Sequence, residues 1–201
     1  MTARRHFGDR GQTLPIYIWL TAILLFAAVA LFVFAQAAFA RNGAQSAADA
    51  AALAAAQEDR DELMEGLEGA IGVDDNWLDW LDPNEATGVG AQAAAEQLAA
   101  QNDATVLAIE EWAEGDSPGY RVEIETNYTV GESIIPGTED MQATADAVAI
   151  IKPRCDFEVP DDPTDIVELN CDGEPIEIDP EDFVLDDLPD ASVLFSVQLA
   201  E

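Results

Sequence analysis

Histidine occurs once in this chain of 201 residues, as His6, and cysteine twice, as Cys155 and Cys171. These scarcities remove most catalytic chemistry at the outset. His6 is the only imidazole that could serve as a general base or metal ligand, and it stands before a long apolar run. No Cys-x-x-Cys spacing builds a zinc site, and no serine sits in a Gly-x-Ser-x-Gly turn. The stretch Gly88-Val89-Gly90 is not followed by the glycine and lysine that cradle a phosphate. Positive charge is scarce as well: 8 Lys and Arg face 41 Asp and Glu, for a net charge of −33. Such a surface repels nucleic acid and anionic lipid, and attracts basic proteins. Carboxylates are then the only abundant reactive groups. Paired acids can hydrolyse glycosides, but in so acidic a chain such pairs arise by chance. The expectation is a protein without catalytic residues or a cofactor.

What the chain does have is one uninterrupted apolar run, Leu14 to Ala40, with no charged residue. A bilayer-spanning helix needs about 20 mostly apolar residues, so this run is long enough. Before it stand Arg4, Arg5 and Arg10 with Asp9, a side-chain charge of +2; after it residues 41–201 carry −35. Lys and Arg flanking a span stay on the cytoplasmic side, and long acidic segments translocate regardless. The N-terminus is therefore expected inside and residues 41–201 outside the plasma membrane, in a single pass. Arg41 dissents at the outer edge and can snorkel to the headgroups. Cleavage after Ala38-Phe39-Ala40 is the rival reading, although the run far exceeds the 7–15 residues of a signal h-region. For an exported chain, an even and sparse cysteine count reads as a disulfide, Cys155–Cys171. Closing its loop contributes about 3 kcal/mol in the chain-entropy treatment.

Beyond the apolar run, Asn42 to Ala56 is almost wholly alanine, the best helix former. The helix is expected to continue through Gln57-Glu58-Asp59-Arg60 to about Leu67, with Gly66, Gly69 and Gly72 ending it. Trp77, Leu78, Trp80 and Leu81 form one apolar turn, and Val89–Gln101 a short second helix. The period then changes from helical to two. Thr105–Trp112, Tyr120–Val130 and Gln142–Ile151 read as strands, with turns at Glu114–Gly119 and Pro136-Gly137. Tyr120, Val122, Ile124 and Thr126 share one face, which needs helices to cover it. Lys152 to Pro189 is acidic and Pro-rich, a composition that resists compact folding, and Ser192–Leu199 reads as a last strand added at the sheet edge.

The chain thus divides into a basic N-terminus (1–13), a transmembrane helix (14–40), an α+β domain (41–151) and an acidic, Pro-rich segment with one disulfide (152–201). The fold class is α+β, an Ala-rich helix packed on a small antiparallel sheet. Two acidic clusters invite a calcium reading, since calcium takes six to eight oxygens. Asp74, Asp75, Asp79 and Asp82 surround the tryptophans; Asp161, Asp162, Asp165, Asp172 and Glu174 lie near the disulfide. Neither matches an EF-hand loop, and solvated acidic faces explain both. The face Ala47, Ala48, Ala51, Ala52 and Ala55 permits close helix contact, either with another chain or with the protein's own sheet.

The lead-in Arg10-Gly11-Gln12 and the block Gln45-Ser46-Ala47-Ala48-Asp49-Ala50-Ala51-Ala52-Leu53-Ala54 resemble the N-terminal segment of TadE/TadG-like proteins of Flp (Tad) pilus-assembly systems, most of all the TadG-related proteins of actinobacteria. The resemblance implies a bitopic, non-enzymatic component of a pilus or secretion apparatus, with a pilin-like shape and with membrane lipid and other Tad components as partners. Prepilin-like members carry a glutamate five residues after the cleaved glycine; Ile16 stands there in this chain, which argues against prepilin processing. An exported module that binds calcium or a cell-wall ligand is the alternative function.

Overall fold

The computed structural model describes residues 13–129, 140–185 and 188–200. The basic residues Arg4, Arg5 and Arg10, His6, Val130 and the Pro136-Gly137 turn lie outside the described residues. Helix α1 spans Thr13–Ala70, 58 residues in one piece. Two 3-10 turns follow, Trp77–Leu81 and Pro83–Glu85, then α2 (Ala91–Gln101). Strands β1 (Ala104–Glu114), β2 (Ser117–Thr129) and β3 (Gln142–Pro153) come next. Short strands β4 (Cys155–Asp156), β5 (Val167–Cys171) and β6 (Glu174–Ile178) precede a single helical turn, α3 (Ala191–Leu194), and β7 (Phe195–Leu199).

The main sheet is four-stranded and antiparallel in the order β1-β2-β3-β7. Alternation along β2 decides how it sits. Tyr120, Val122, Ile124 and Thr126 are buried, while Glu123 points to water. Helix α1 covers this buried face over β2, β3 and β7, and α2 lies beside α1 over β1. Alanine makes that cover close: Ala44, Ala47, Ala48, Ala51, Ala52, Ala55 and Ala56 on α1 and Ala95 and Ala99 on α2 are all fully buried. Their side chains end at Cβ, so two helices and a sheet approach over a wide arc of α1. Thr126, on the same face, buries a hydroxyl completely. It donates to Tyr128 O at 2.8 Å and accepts from Ala143 N at 3.1 Å, which satisfies it where the β2–β3 register shifts.

Three expectations shift at their edges, for local reasons. Gly66 does not end α1; it lies within the helix, and a Cβ there would meet the Trp80 ring at 2.2 Å, so the glycine is needed for the indole to pack. The helix runs on to Ala70, and of the three glycines expected to end it Gly72 does so just beyond, at a φ of +71° that favours glycine, with Asp74 N donating back to Ala70 O. The second helix starts at Ala91 rather than Val89, because Gly90 (φ +107°) breaks the run before it. The last strand starts at Phe195, since Ala191–Leu194 turns helically before pairing with β3.

The acidic segment after β3 departs furthest from expectation. Instead of resisting compaction it forms a second, three-stranded sheet, β4-β5-β6. Its apolar residues are few but alternate: Val167, Leu169 and Cys171 are buried, Glu168 and Asn170 are not. Cys155 and Cys171 pair in register across β4 and β5 and are disulfide-bonded. Arg154 pins the unit to the chain terminus by pairing with Asp172 and donating to Ser192 O at 2.6 Å. Trp77 Nε1 donates to Pro163 O at 3.0 Å, tying the same unit to the first 3-10 turn.

Candidate functional site: the exposed rod and its junction with the head

The first half of α1 is covered by nothing. Trp19, Phe26, Phe32 and Phe34 stand in the open, Phe26 at 77% exposure, together with most of the leucines and isoleucines between Leu14 and Leu31. The helix is long and apolar enough to cross a membrane. Twenty-seven residues at 1.5 Å rise reach about 40 Å, against a hydrocarbon core of about 30 Å. The Thr21 hydroxyl donates back to Tyr17 O at 2.9 Å, so the helix itself satisfies it without water. Soluble monomers rarely expose apolar patches beyond a few hundred Å2; a bare rod of this kind is an interaction surface.

The alanine face behaves in the opposite way. Ala47, Ala48, Ala51, Ala52 and Ala55 are all at 0% exposure within this one chain. The protein's own sheet and α2 occupy them, so of the two contacts the sequence allows, the internal one is made. A partner meeting α1 laterally has the exposed half before Ala40 to contact, not this face.

Where α1 leaves the alanine block, one acid enters the interior. Asp59 is 6% exposed. Tyr120, from β2, donates its hydroxyl to Asp59 Oδ2 at 2.7 Å, while Asp59 Oδ1 has no partner. Burial pushes the Asp59 carboxyl up to about 6; the Tyr120 hydrogen bond pulls the other way, and the charges of Glu62, Glu58 and Glu111 add to the rise. The Tyr120 hydroxyl is in turn pushed well above its ordinary value, by burial and then by Asp59. The segment Thr87–Gly90 straps across this pair. Thr87 donates through its backbone N–H and its hydroxyl to Glu62. A Cβ at Gly88 would meet Tyr120 Oη at 2.6 Å, and one at Gly90 would meet Glu58 Oε1 at 2.8 Å. Only glycine lets the strap lie this close. Sequence reasoning passed over Asp59 and Tyr120, though a signal was present. Ala51, Ala55, Asp59 and Leu63 follow one another at four-residue spacing, so a single acid interrupts an otherwise apolar stripe.

The acidic clusters do local structural work. Asp74 Oδ1 accepts from Asn76 N, and Asp82 Oδ1 accepts from Asn84 N at 2.9 Å, capping the second 3-10 turn. Asp74 and Asp75 border a cavity of about 320 Å3 with Trp77, Pro163 and Pro180, while Asp79 and Asp82 are not part of its lining. Asp162 accepts from Thr164 N and Oγ1, which holds its carboxyl below the usual range. Among the described residues no three His, Cys, Asp or Glu side chains converge as metal ligands would. A cavity of about 1060 Å3 is an open hollow of the second sheet rimmed by Asp156, Glu158, Asp161, Asp165 and Glu168.

The class these features define is an α+β protein with a long N-terminal apolar helix and a small antiparallel-sheet head. Residues 11–58 match the family model described as "Putative Flp pilus-assembly TadE/G-like", so the rod and its alanine block form a TadE/G-like segment. The match ends one residue before Asp59; the strap, both sheets and the disulfide lie beyond it. No curated protein and no solved structure matches the chain.

Proposed function

We propose that this protein is a non-enzymatic, single-span component of a Tad/Flp-type pilus-assembly or secretion apparatus, of the TadG-related kind. The carrying observation is a coincidence of limits: the segment matching the TadE/G-like family, residues 11–58, takes in the whole exposed apolar half of α1 and the alanine block that seats it on the head. The rod serves as anchor, with residues 1–13 cytoplasmic and the head extracytoplasmic. Charge favours this direction, since the bases before the run and the acids after it follow the positive-inside bias. Partners meet the protein along the rod. Membrane lipid and other Tad components contact the large apolar side chains of residues 14–39, and the anionic head selects against nucleic acid.

The test is genetic and biochemical together. Deleting the gene should abolish or sharply reduce Flp-pilus assembly, and the full chain extracted in mild detergent should co-purify other components of the apparatus. A chain with residues 14–39 replaced by an unrelated span of equal length should stay in the membrane yet lose those partners. Normal pili in the deletion strain contradict the proposal.

A further inference from the structure

The acid buried beside the strap belongs neither to the anchor nor to the packing of the sheet. Asp59 sits between Ala55 and Leu63 on the buried side of α1, more than nine-tenths enclosed, with Oδ1 unpartnered. The groups that face it are all acidic or neutral. Glu58 and Glu62 come from α1, Glu111 from β1 and Tyr120 from β2; the strap Thr87–Gly90 and the first residues of α2, Ala91–Ala95, contribute no charge. Three arginines of the head are engaged elsewhere: Arg60 with Asp61, Arg121 with Asp146 and the Trp112 ring, and Arg154 with Asp172. A buried carboxylate with a bare oxygen and three carboxylates near it, faced by no basic side chain among the described residues, calls for a positive ligand. The ligand that fits so small and enclosed a place is a proton, which burial and the neighbouring like charges both favour on the carboxyl.

We propose that the Asp59–Tyr120 junction is a proton-operated latch, which holds the Thr87–Gly90 strap and the rod on the sheet when Asp59 is neutral and loosens when Asp59 ionises. In the neutral form Asp59 places no charge beside Glu58 and Glu62, the two side chains on which the strap rests. In the ionised form their mutual repulsion acts on the strap's own anchor, the Thr87–Glu62 hydrogen bonds. The raised carboxyl value, about 6, puts the change between pH 5 and pH 7. The latch depends on the packing of the head alone and stands apart from the pilus reading.

The experiment uses the full chain in detergent micelles. Hydrogen exchange of the Thr87–Gly90 amides, corrected for intrinsic rates, is measured at pH 5 and pH 7. With Asp59 near 6 when latched and near its ordinary 3.8 when open, opening should become about tenfold easier over those two units. Asp59→Asn should abolish that difference, and Tyr120→Phe should move its midpoint upward, because the lost hydrogen bond favoured the ionised form. If either variant fails to fold, infrared difference spectra of the wild-type chain decide: one protonated carboxyl band should disappear with a midpoint near pH 6, well above the ordinary acids. Equal strap protection at both pH values, parallel behaviour of wild type and Asp59→Asn, or absence of that band overturns the latch.

Discussion

Two halves of one helix obey opposite rules. From Leu14 to Phe39, α1 carries Leu, Ile, Phe and Trp that stand in the open; from Ala44 to Ala56 it carries mainly alanines that are almost all fully buried. Hydrophobic character alone would have put the large side chains inside. Size and company explain the inversion. Large side chains with no sheet to meet suit a lipid solvent, which accepts them on every side. Alanine has little apolar area to bury, but it lets a sheet and a second helix close around the backbone. What joins the rod to the head is therefore closeness of fit, and what holds the rod elsewhere is bulk.

That contrast can be broken by exchanging sizes. Ala51→Phe forces a large ring between α1 and the sheet, and overpacking there should cost about 3 kcal/mol, read as a large fall in the thermal midpoint of the head in micelles. A midpoint unchanged by this substitution would show the alanine face to be slack. Next in size is the clasp of the second sheet. Cys155→Ser should cost about 2–3 kcal/mol and expose the segment 156–170 to limited proteolysis, while leaving the main sheet's circular dichroism in place.

The pH dependence comes third. The folded value of Asp59, about 6, lies above its ordinary 3.8. The native state therefore binds more protons than the unfolded state between about pH 4 and 6, and stability from this group falls as pH rises through that window. Denaturant titrations at pH 5 and 7 should differ between wild type and Asp59→Asn by about 1 kcal/mol, the wild type losing more on going to pH 7. The smallest effect sharpens the comparison from the other side: Ala27→Leu, in the exposed half, should change the head's stability by less than about 0.5 kcal/mol, whereas the same exchange at Ala51 should not be tolerated so lightly.

Much of this architecture is written in local pattern. The period of two over Tyr120–Thr126 gave the buried face of β2, the alanine block gave the covering helix, and a sparse, even cysteine count gave the bridge. Composition misled where placement mattered more. The Pro- and Asp-rich stretch after Lys152 holds few apolar residues, but Val167, Leu169 and Cys171 alternate, and a disulfide with an arginine clamp suffices to fold them. Gly66 read as a helix stop because its role, making room for Trp80, is tertiary. Asp59 escaped notice for the same reason: its burial depends on Tyr120, 61 residues away, and only the four-residue stripe through Ala51, Ala55 and Leu63 hints at it.

The central claim is that the apolar half of α1 stays attached and embedded, presenting the acidic head at the membrane. Carbonate extraction of membranes from the native source, followed by N-terminal sequencing of the extracted chain, tests it most directly. The account predicts a carbonate-resistant protein in the pellet that still contains Leu14–Ala40. A soluble protein beginning at Arg41 would contradict it.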